Sequence, residues 1–413
     1  MNHTISQTKS FRKPLLFLFT FFLTLVLSIS VSLAEEKVIK FGCAISMSGV
    51  FAHEGKLQKD GLDLWVETVN RTGGINVGKE KYKVEVVYYD DKSDTMTSTK
   101  LVEKLITDDK IKFIFGPFGS GATFATGAIA EKYKVIMIAP MGSSPEIYER
   151  GYKYLFGVVR TMDLSYENEA EFLSQLEPRP KTLAIIAQNS LWPLSSANFA
   201  KSYSEKRGLK VLFSDKFPPG TEDFSSLLIE IKQHKPDVFL GISFTKEEIL
   251  MAKQLRELKV DVPMVIMPGG PSTVDFLKAL GDTAEYIVYD TAWTPSLPYS
   301  GKMFGTSKDY FRIMKEKYGY EVDRTGACGT EAGLIFQLAI EKANSLDTEK
   351  VREAIKGLNE TTFYGPIKFD DRGINVGTPV TMMQIQKGKR VAVWPSAHAD
   401  GKLKYPTPKW EAR

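Results

Sequence analysis

The amino-acid sequence predicts an α/β fold with two similar lobes. Short apolar runs alternate with amphipathic helical patterns, an order typical of parallel sheets covered by helices. This alternation occurs twice, first up to about residue 159 and again between residues 183 and 289. The chain has 413 residues, 43% of them apolar, which is enough for two domains of ordinary size. Two such lobes leave a cleft between them in which a ligand can bind.

The first 34 residues have the pattern of a secretory signal peptide. Their charged side chains are all basic, those of Lys9, Arg12 and Lys13. An apolar run from 15 to 31 precedes Ser32-Leu33-Ala34, which has small residues at the positions that cleavage requires. We expect cleavage after Ala34 and a location in the periplasm, whereas an uncleaved membrane anchor is the alternative. No cysteine follows the predicted cut, so we expect no lipid anchor.

Composition and charge exclude several classes of function. Loss of the three basic residues of the leader lowers the formal net charge from +4 to +1. The mature chain has no stripe of basic and aromatic residues, so we expect no nucleic-acid partner. Two cysteines, Cys43 and Cys328, are too few for a disulfide scaffold, and whether they pair stays open. The histidines lack metal-type spacing, and no metal or other cofactor is predicted.

In the first half of the chain, four predicted strands are each followed by a loop and a helix or turn. The strands are at 38–44, 82–89, 111–115 and 135–139. Asp94 is expected to cap the helix that follows the second strand. Right-handed crossovers between parallel strands place every strand-to-helix loop at the same edge of the sheet. We therefore expect convergence of the loops 44–55, 116–121 and 140–145.

The glycine-rich loop after the third strand is the main candidate for a binding site. Gly119, Ser120 and Gly121 offer backbone amides and one hydroxyl at a predicted helix start, which suits a carboxylate or a phosphate. A tight turn between buried elements is the alternative interpretation. ATP is disfavoured because Ala122 stands where a phosphate-binding loop needs Lys. Ser120 lacks the flanking glycines of a hydrolase nucleophile elbow, so we expect it to act as a hydrogen-bonding residue.

The second half of the chain repeats the alternating pattern. Its strands are predicted at 183–187, 210–213, 237–242, 264–267 and 286–289, and its helices near 195–207, 223–234, 246–258 and 272–280. The second lobe's side of the cleft then contains Trp192, Phe244 and the turn 268–270. The two aromatic side chains either bind the ligand or belong to ordinary core packing. The tail is strand-like at 363–370, 380–385 and 391–394.

Several short motifs, in order and spacing, resemble the leucine/isoleucine/valine-binding proteins, which are type I periplasmic solute-binding components of ABC importers. The motifs are Met47-Ser48-Gly49, Asn70-Arg71-Thr72-Gly73-Gly74-Ile75, Gly119-Ser120-Gly121-Ala122-Thr123, Ala139-Pro140 and Tyr364-Gly365-Pro366-Ile367-Lys368-Phe369-Asp370. The resemblance covers about residues 37–410. It implies two doubly wound Rossmann-like lobes joined by three crossover strands, near 157–160, 289–292 and 361–366. Lobe 1 would comprise residues 35–158 and 291–362, and lobe 2 residues 159–290 and 363–413.

The resemblance also implies the residues of the site. In the family the ligand carboxylate is held by a serine matching Ser120 and by the next loop, matching Gly142 and Ser143 or Ser144. Trp192 matches an aromatic specificity position. The acid that pairs with the ligand ammonium falls on Gly269, which predicts a solute without a free α-amine unless another acid replaces it. Glu54 is a candidate for that replacement, and an exposed loop glutamate is the alternative.

The function implied by the resemblance is that of a non-catalytic carrier. We expect a monomer that binds a small carboxylate or amino acid and delivers it to the membrane subunits of an ABC permease. A ligand-sensing protein is one alternative, because the same two-lobed closure serves receptors. A secreted α/β hydrolase is another, but Ser120 has no recognisable histidine partner in the sequence.

Overall fold

The computed structural model describes residues 37–413, together with residues 1–4 and 7. The apolar run and the cleavage site of the predicted signal peptide lie outside the described residues. Among the helices of the described part, none is long and apolar enough to cross a membrane.

The first lobe contains a six-stranded sheet. Its strands are β1 (Val38–Ile45), β2 (Ile75–Val77), β3 (Glu80–Asp90), β4 (Phe113–Phe115), β5 (Ile136–Ala139) and β6 (Leu155–Gly157). They lie in the order β2-β3-β1-β4-β5-β6, and only the β2–β3 pair is antiparallel within this described sheet. The short strand β2 was not predicted, because its three residues carry too little pattern to distinguish it from a turn.

Three helices follow strands of this sheet, as the alternating pattern predicts. They are α1 (Ala52–Arg71), α2 (Thr95–Thr107) and α3 (Ser120–Tyr133). The predicted cap of α2 is confirmed, since the Asp94 side chain accepts a hydrogen bond of 2.8 Å from the Thr97 amide. All three helices begin at the carboxyl edge of the sheet, so the loops before them meet there.

The second lobe is built around five parallel strands. These are β7 (Thr182–Gln188), β8 (Lys210–Phe217), β9 (Val238–Ile242), β10 (Met264–Ile266) and β11 (Val288–Thr291). A small hairpin of β12 (Ser300–Gly301) and β13 (Gly305–Thr306) follows. The chain then returns through β14 (Thr381–Gln386) and β15 (Lys389–Trp394), which extend the second sheet in antiparallel fashion. The resulting order is β15-β14-β11-β10-β9-β7-β8.

The remaining helices divide between the two lobes. Five alternate with the strands of the second lobe: α4 (Met162–Ser174), α5 (Leu191–Lys206), α6 (Ser225–His234), α7 (Thr245–Glu257) and α8 (Val274–Leu280). Three later ones contribute to the core of the first lobe: α9 (Ser307–Tyr318), α10 (Arg324–Ala343) and α11 (Thr348–Lys356). Helix α10 packs backbone to backbone on α1, where a Cβ at Gly61 would lie 2.0 Å from the Gly326 carbonyl oxygen.

The two-lobed α/β prediction is confirmed, but the third crossing between the lobes lies later than predicted. Phe363, Tyr364 and Ile367 are buried in the core of the first lobe, and the Phe363 ring stacks on Tyr310 at 3.8 Å. Val380 is the first residue of this segment buried in the second core. The assignment of residues 363–376 to lobe 2 was therefore wrong, because long-range aromatic packing holds this irregular segment on the first lobe.

The two cysteines do not pair. Cys43 and Cys328 are both buried and free. The Cys328 sulfur lies 3.2 Å from the Tyr364 hydroxyl, so it packs within the first-lobe core. The bridge that the sequence left open is absent.

Candidate functional site

A cavity of about 70 Å³ lies between the two lobes, at the carboxyl ends of their strands. Loops of both lobes and all three crossing segments contribute to it. Of the predicted site residues, the structure brings six to its wall: Glu54, Gly119, Ser120, Ser143, Trp192 and Phe244. A larger outer chamber of about 440 Å³ adjoins it toward the cleft mouth and includes Gly121. Gly142 and Ser144 flank the lining residue Ser143 in sequence, but they are not among the lining residues of either cavity.

On the first-lobe side, Ser120 joins two loops at the first residue of α3. Gly119 precedes it with φ of +88°, a conformation that favours glycine. The Ser120 Oγ accepts hydrogen bonds of 3.2 Å from the amides of both Ser143 and Ser144. Because both bonds use its oxygen as acceptor, the hydroxyl proton is free to be donated to a ligand.

Gly142 allows the neighbouring loop to approach this helix. A Cβ at Gly142 would lie 2.8 Å from the Thr123 side chain, so a larger residue would push the loop away. The Gly142 carbonyl accepts a hydrogen bond of 2.7 Å from the Tyr148 hydroxyl and therefore points away from the cavity. This edge offers a hydroxyl and a helix N-terminus, a combination that suits an anion.

Aromatic rings close the cleft between the lobes. Phe51 and Phe118 of the first lobe meet Phe244 of the second, at centroid distances of 4.7 and 6.4 Å. Trp192 lies 5.3 Å from Phe244 on the same side. Phe51 was not among the predicted residues, because a single loop phenylalanine has no distinguishing pattern. The rings give the cavity an apolar wall and place the two lobes in contact.

Glu54 lies in the first turn of α1 and is only 6% exposed, so the exposed-loop alternative is wrong. Its carboxyl accepts a hydrogen bond of 2.9 Å from the Thr245 hydroxyl, which belongs to the opposite lobe. Burial raises the pKa of Glu54, whereas the Thr245 hydrogen bond acts in the opposite direction. Beside it, His53 Nδ1 lies 3.1 Å from a carboxylate oxygen of Asp275, making a second contact between the lobes.

The backbone at Gly269 explains why no acid stands there. A Cβ at this position would lie 1.9 Å from the Ser243 carbonyl oxygen, so any side chain would displace the loop. Beneath it, the fully buried Glu248 carboxyl accepts hydrogen bonds from the amides of Ser243, Gly269 and Gly270. Burial raises the pKa of Glu248 to about 8, against the lowering effect of these amides.

Three charged residues of the cavity wall were missed by sequence reasoning: Arg160, Asp290 and Arg324. Arg324 donates to the carbonyls of Pro268 and Asp290, at 2.9 and 3.2 Å. Arg160 donates to the Val376 carbonyl, and its buried Nε has no hydrogen-bond partner among the described residues. Burial lowers the pKa of Arg160. Arg160 and Asp290 come from two crossing segments and Arg324 from the first turn of α10, and isolated charges give no local signal. Within the described residues no group of three or more metal-type ligands is assembled.

Known proteins resemble this chain in sequence and in fold. A family model described as "Periplasmic binding protein" matches residues 38–390. The chain is 26% identical over 347 residues to a leucine-, isoleucine-, valine-, threonine- and alanine-binding protein of Pseudomonas aeruginosa, covering 83% of this chain and 88% of that one.

Solved structures show the same fold at lower identity. A leucine-binding protein from Thermotoga maritima superposes with a TM-score of 0.78 and 23% identity, covering 86% of this chain and 97% of that one. An ABC-transporter solute-binding protein from R. palustris, in complex with benzoate, gives a TM-score of 0.75 and 18% identity, with coverages of 86% and 95%.

Proposed function

Because the chain belongs to the periplasmic binding protein family, we propose that it captures a small carboxylate-bearing solute between its lobes and delivers it to an ABC importer. It acts outside the cytoplasm after loss of its leader, as a monomer, and releases the solute chemically unchanged. The observation that carries the proposal is the Ser120 hydroxyl at the start of α3, whose oxygen accepts from two amides and whose proton is therefore free for donation to a ligand.

A carboxylate matches this edge of the cavity chemically. The Ser120 hydroxyl and the unpaired amides of the first helical turn supply donors, and the helix dipole favours negative charge at that end. Gly119, Gly121, Gly142, Ser143 and Ser144 shape the anion subsite, while Trp192 and Phe244 contact the body of the solute. The similar proteins support the same chemistry, because the named ligands, leucine in one case and benzoate in another, share a carboxylate.

A hydrolase is not favoured by the site. Neither cavity of the cleft has a histidine among its described lining residues, so Ser120 has no imidazole base within reach. Nucleophilic use of Ser120 would also require it to release the two amides that it accepts from.

The proposal is tested by a thermal-shift screen of the mature protein against amino acids, aliphatic and aromatic carboxylates, and the matching amides. A binder present at 100 times its dissociation constant stabilises the folded state by about 2.7 kcal/mol. We expect stabilisation by carboxylates but not by their amides. Small-angle scattering should show compaction with the best binder, because a solute that bridges both lobes favours the closed arrangement. Binding of the amides as tightly as the acids would overturn the carboxylate assignment.

A further inference from the structure

Gln188 carries an unused hydrogen-bond donor at the wall of the outer chamber. It is the last residue of β7, is only 4% exposed, and lines this chamber of about 440 Å³. Its side-chain oxygen Oε1 accepts a hydrogen bond of 2.8 Å from the Ser190 hydroxyl, whereas its Nε2 has no acceptor among the described residues. Because Nε2 stays accessible while the rest of the side chain is buried, its two N–H groups face the chamber.

Ser190 holds the Gln188 amide in this orientation. It occupies the N-cap position of α5, where a serine side chain usually accepts from the amides of the first helical turn. Its side chain makes no such bond here and donates to Gln188 instead. The contact occupies the Oε1 end of the amide and leaves the Nε2 end for another acceptor.

Two helix starts on the same lobe add backbone donors to this wall. Leu191 and Thr245 are the first residues of α5 and α7, and both line the outer chamber. Neither helix has a side-chain cap, and the Thr245 hydroxyl donates to Glu54. Unpaired amides of first helical turns favour an oxygen acceptor beside them, and Gln188 adds a side-chain donor to the same wall.

The charges around the outer chamber disfavour a second anion. Three acids line it, Glu54, Asp91 and Glu247, against one lysine among the described lining residues, Lys246. The Asp91 oxygens accept from three groups, two serine hydroxyls and the Ser93 amide, so this acid is held in place. Lys246 is held in an exposed ion pair of 3.2 Å. An uncharged oxygen therefore suits the donors of this chamber better than another carboxylate does.

The outer chamber and the inner cavity share part of their walls. Ser120, Trp192 and Phe244 are among the residues that line both. A solute whose carboxylate is held by Ser120 can therefore extend into either space. The inner cavity, of about 70 Å³, is much the smaller of the two, so the body of a larger solute has room in the outer chamber.

We propose that the outer chamber binds the far end of the solute, where Gln188 donates to an uncharged oxygen such as a carbonyl. The solute is then a carboxylate with an oxygen acceptor at the end opposite the carboxylate. This assignment rests on the proposed function, since it takes the Ser120 edge as the carboxylate subsite.

Calorimetric titration of matched acids, with and without a distal carbonyl, tests the assignment. The pairs are 5-oxohexanoate with hexanoate, 7-oxooctanoate with octanoate, and 4-acetylbenzoate with 4-ethylbenzoate, so that chain length and rigidity vary. In the native protein we expect the carbonyl member of at least one pair to bind about threefold to tenfold more tightly, the value of a hydrogen bond between uncharged groups. Hexanedioate should bind more weakly than 5-oxohexanoate, because its second charge faces the acids of the chamber.

Variants of Gln188 locate the donor. Gln188→Met keeps the length of the side chain but removes its N–H groups, so the carbonyl preference should disappear while the affinity for the plain acid changes less than about twofold. Gln188→Glu also removes the donors and keeps the acceptor for Ser190, which provides the same test if Gln188→Met fails to fold. Ser190→Ala should reduce the preference without abolishing it. The matched control is Gln233→Met at an exposed position of α6, which should leave the preference unchanged.

The outcomes separate this subsite from the proposed function. A carbonyl preference that survives in both Gln188 variants overturns the subsite, as does equal binding of the two members of every pair by the native protein. Tighter binding of hexanedioate than of 5-oxohexanoate overturns the assignment of an uncharged group. All three results leave the proposed function intact, because the acids still bind. Binding of no probe removes the proposed function and the subsite with it.

Discussion

The two sides of the cleft are built by different means. Around Ser120, the first-lobe side presents a hydroxyl, backbone amides and a helix N-terminus, all of them neutral groups. The opposite side carries ionisable groups, among them the fully buried Glu248 and the partly buried Asp290. A buried charge is costly when it loses its partner, whereas a neutral donor loses much less. We therefore expect substitutions on the second side to cost more stability than substitutions on the first.

The largest effect should follow from Glu248→Ala. This change leaves the amides of Ser243, Gly269 and Gly270 without their acceptor in a fully buried position. A buried amide left without an acceptor costs about 1–3 kcal/mol, so we expect the loss of the acceptor for three amides to lower the free energy of unfolding by about 3 kcal/mol or more. Chemical denaturation measures it.

The matched control is Glu257→Ala, which removes an exposed glutamate from the same helix α7. It should change the unfolding free energy by less than about 0.5 kcal/mol. Equal losses in the two variants would mean that the carboxyl beneath Gly269 contributes no more than surface charge, and the contrast between the two sides would fail.

Two glycine substitutions compare the stability of the backbone on the two sides of the cleft. Gly269→Ala brings a Cβ against the Ser243 carbonyl oxygen at 1.9 Å, so the loop must move, at a cost of up to about 3 kcal/mol. Gly121→Ala on the first side meets nothing closer than 4.0 Å, and helix propensity should make it neutral or stabilising by about 0.5–1 kcal/mol. Thermal denaturation of both variants measures the difference. A Gly269→Ala protein as stable as the native one would show that the turn adapts freely.

The different construction of the two sides of the cleft also determined what the sequence could predict. Ser120 and its glycines lie within one strand-loop-helix unit, so composition and spacing identified them, together with the α/β alternation of both lobes. Asp290, Arg160 and Arg324 line one cavity only because two crossing segments and the start of α10 converge there, and an isolated charge gives no periodic signal. The third crossing was misplaced for a related reason, since the stacking of Phe363 on Tyr310 is a long-range contact.

A smaller effect is expected from Ser120→Ala on the first side. The variant loses the hydroxyl that we assign to the solute carboxylate, and a hydrogen bond to a charged group contributes about 1.5–3 kcal/mol. We expect the loss of binding free energy for the best carboxylate to lie near the lower end of that range. The reason is that the Ser143 and Ser144 amides, released by the change, become available as donors. Calorimetry with unchanged affinity would remove Ser120 from the site.

The smallest effects concern two polar contacts between the lobes, one of them buried and the other exposed. Thr245→Val removes the donor to the buried Glu54 carboxyl, and Asp275→Ala removes the partner of His53, whose side chain is 34% exposed against 53% for Asp275. The buried hydrogen bond should contribute about 1 kcal/mol to closure, and the exposed pair less than about 0.5 kcal/mol.

Since closure and solute binding are coupled, Thr245→Val should weaken binding of the best carboxylate about fivefold and Asp275→Ala less than about twofold. Raising the salt concentration should reduce the Asp275 effect further and leave the Thr245 effect unchanged, because salt screens exposed charges much more than buried ones. A larger loss from Asp275→Ala would mean that the rim of the cleft, rather than its buried wall, controls the closed state.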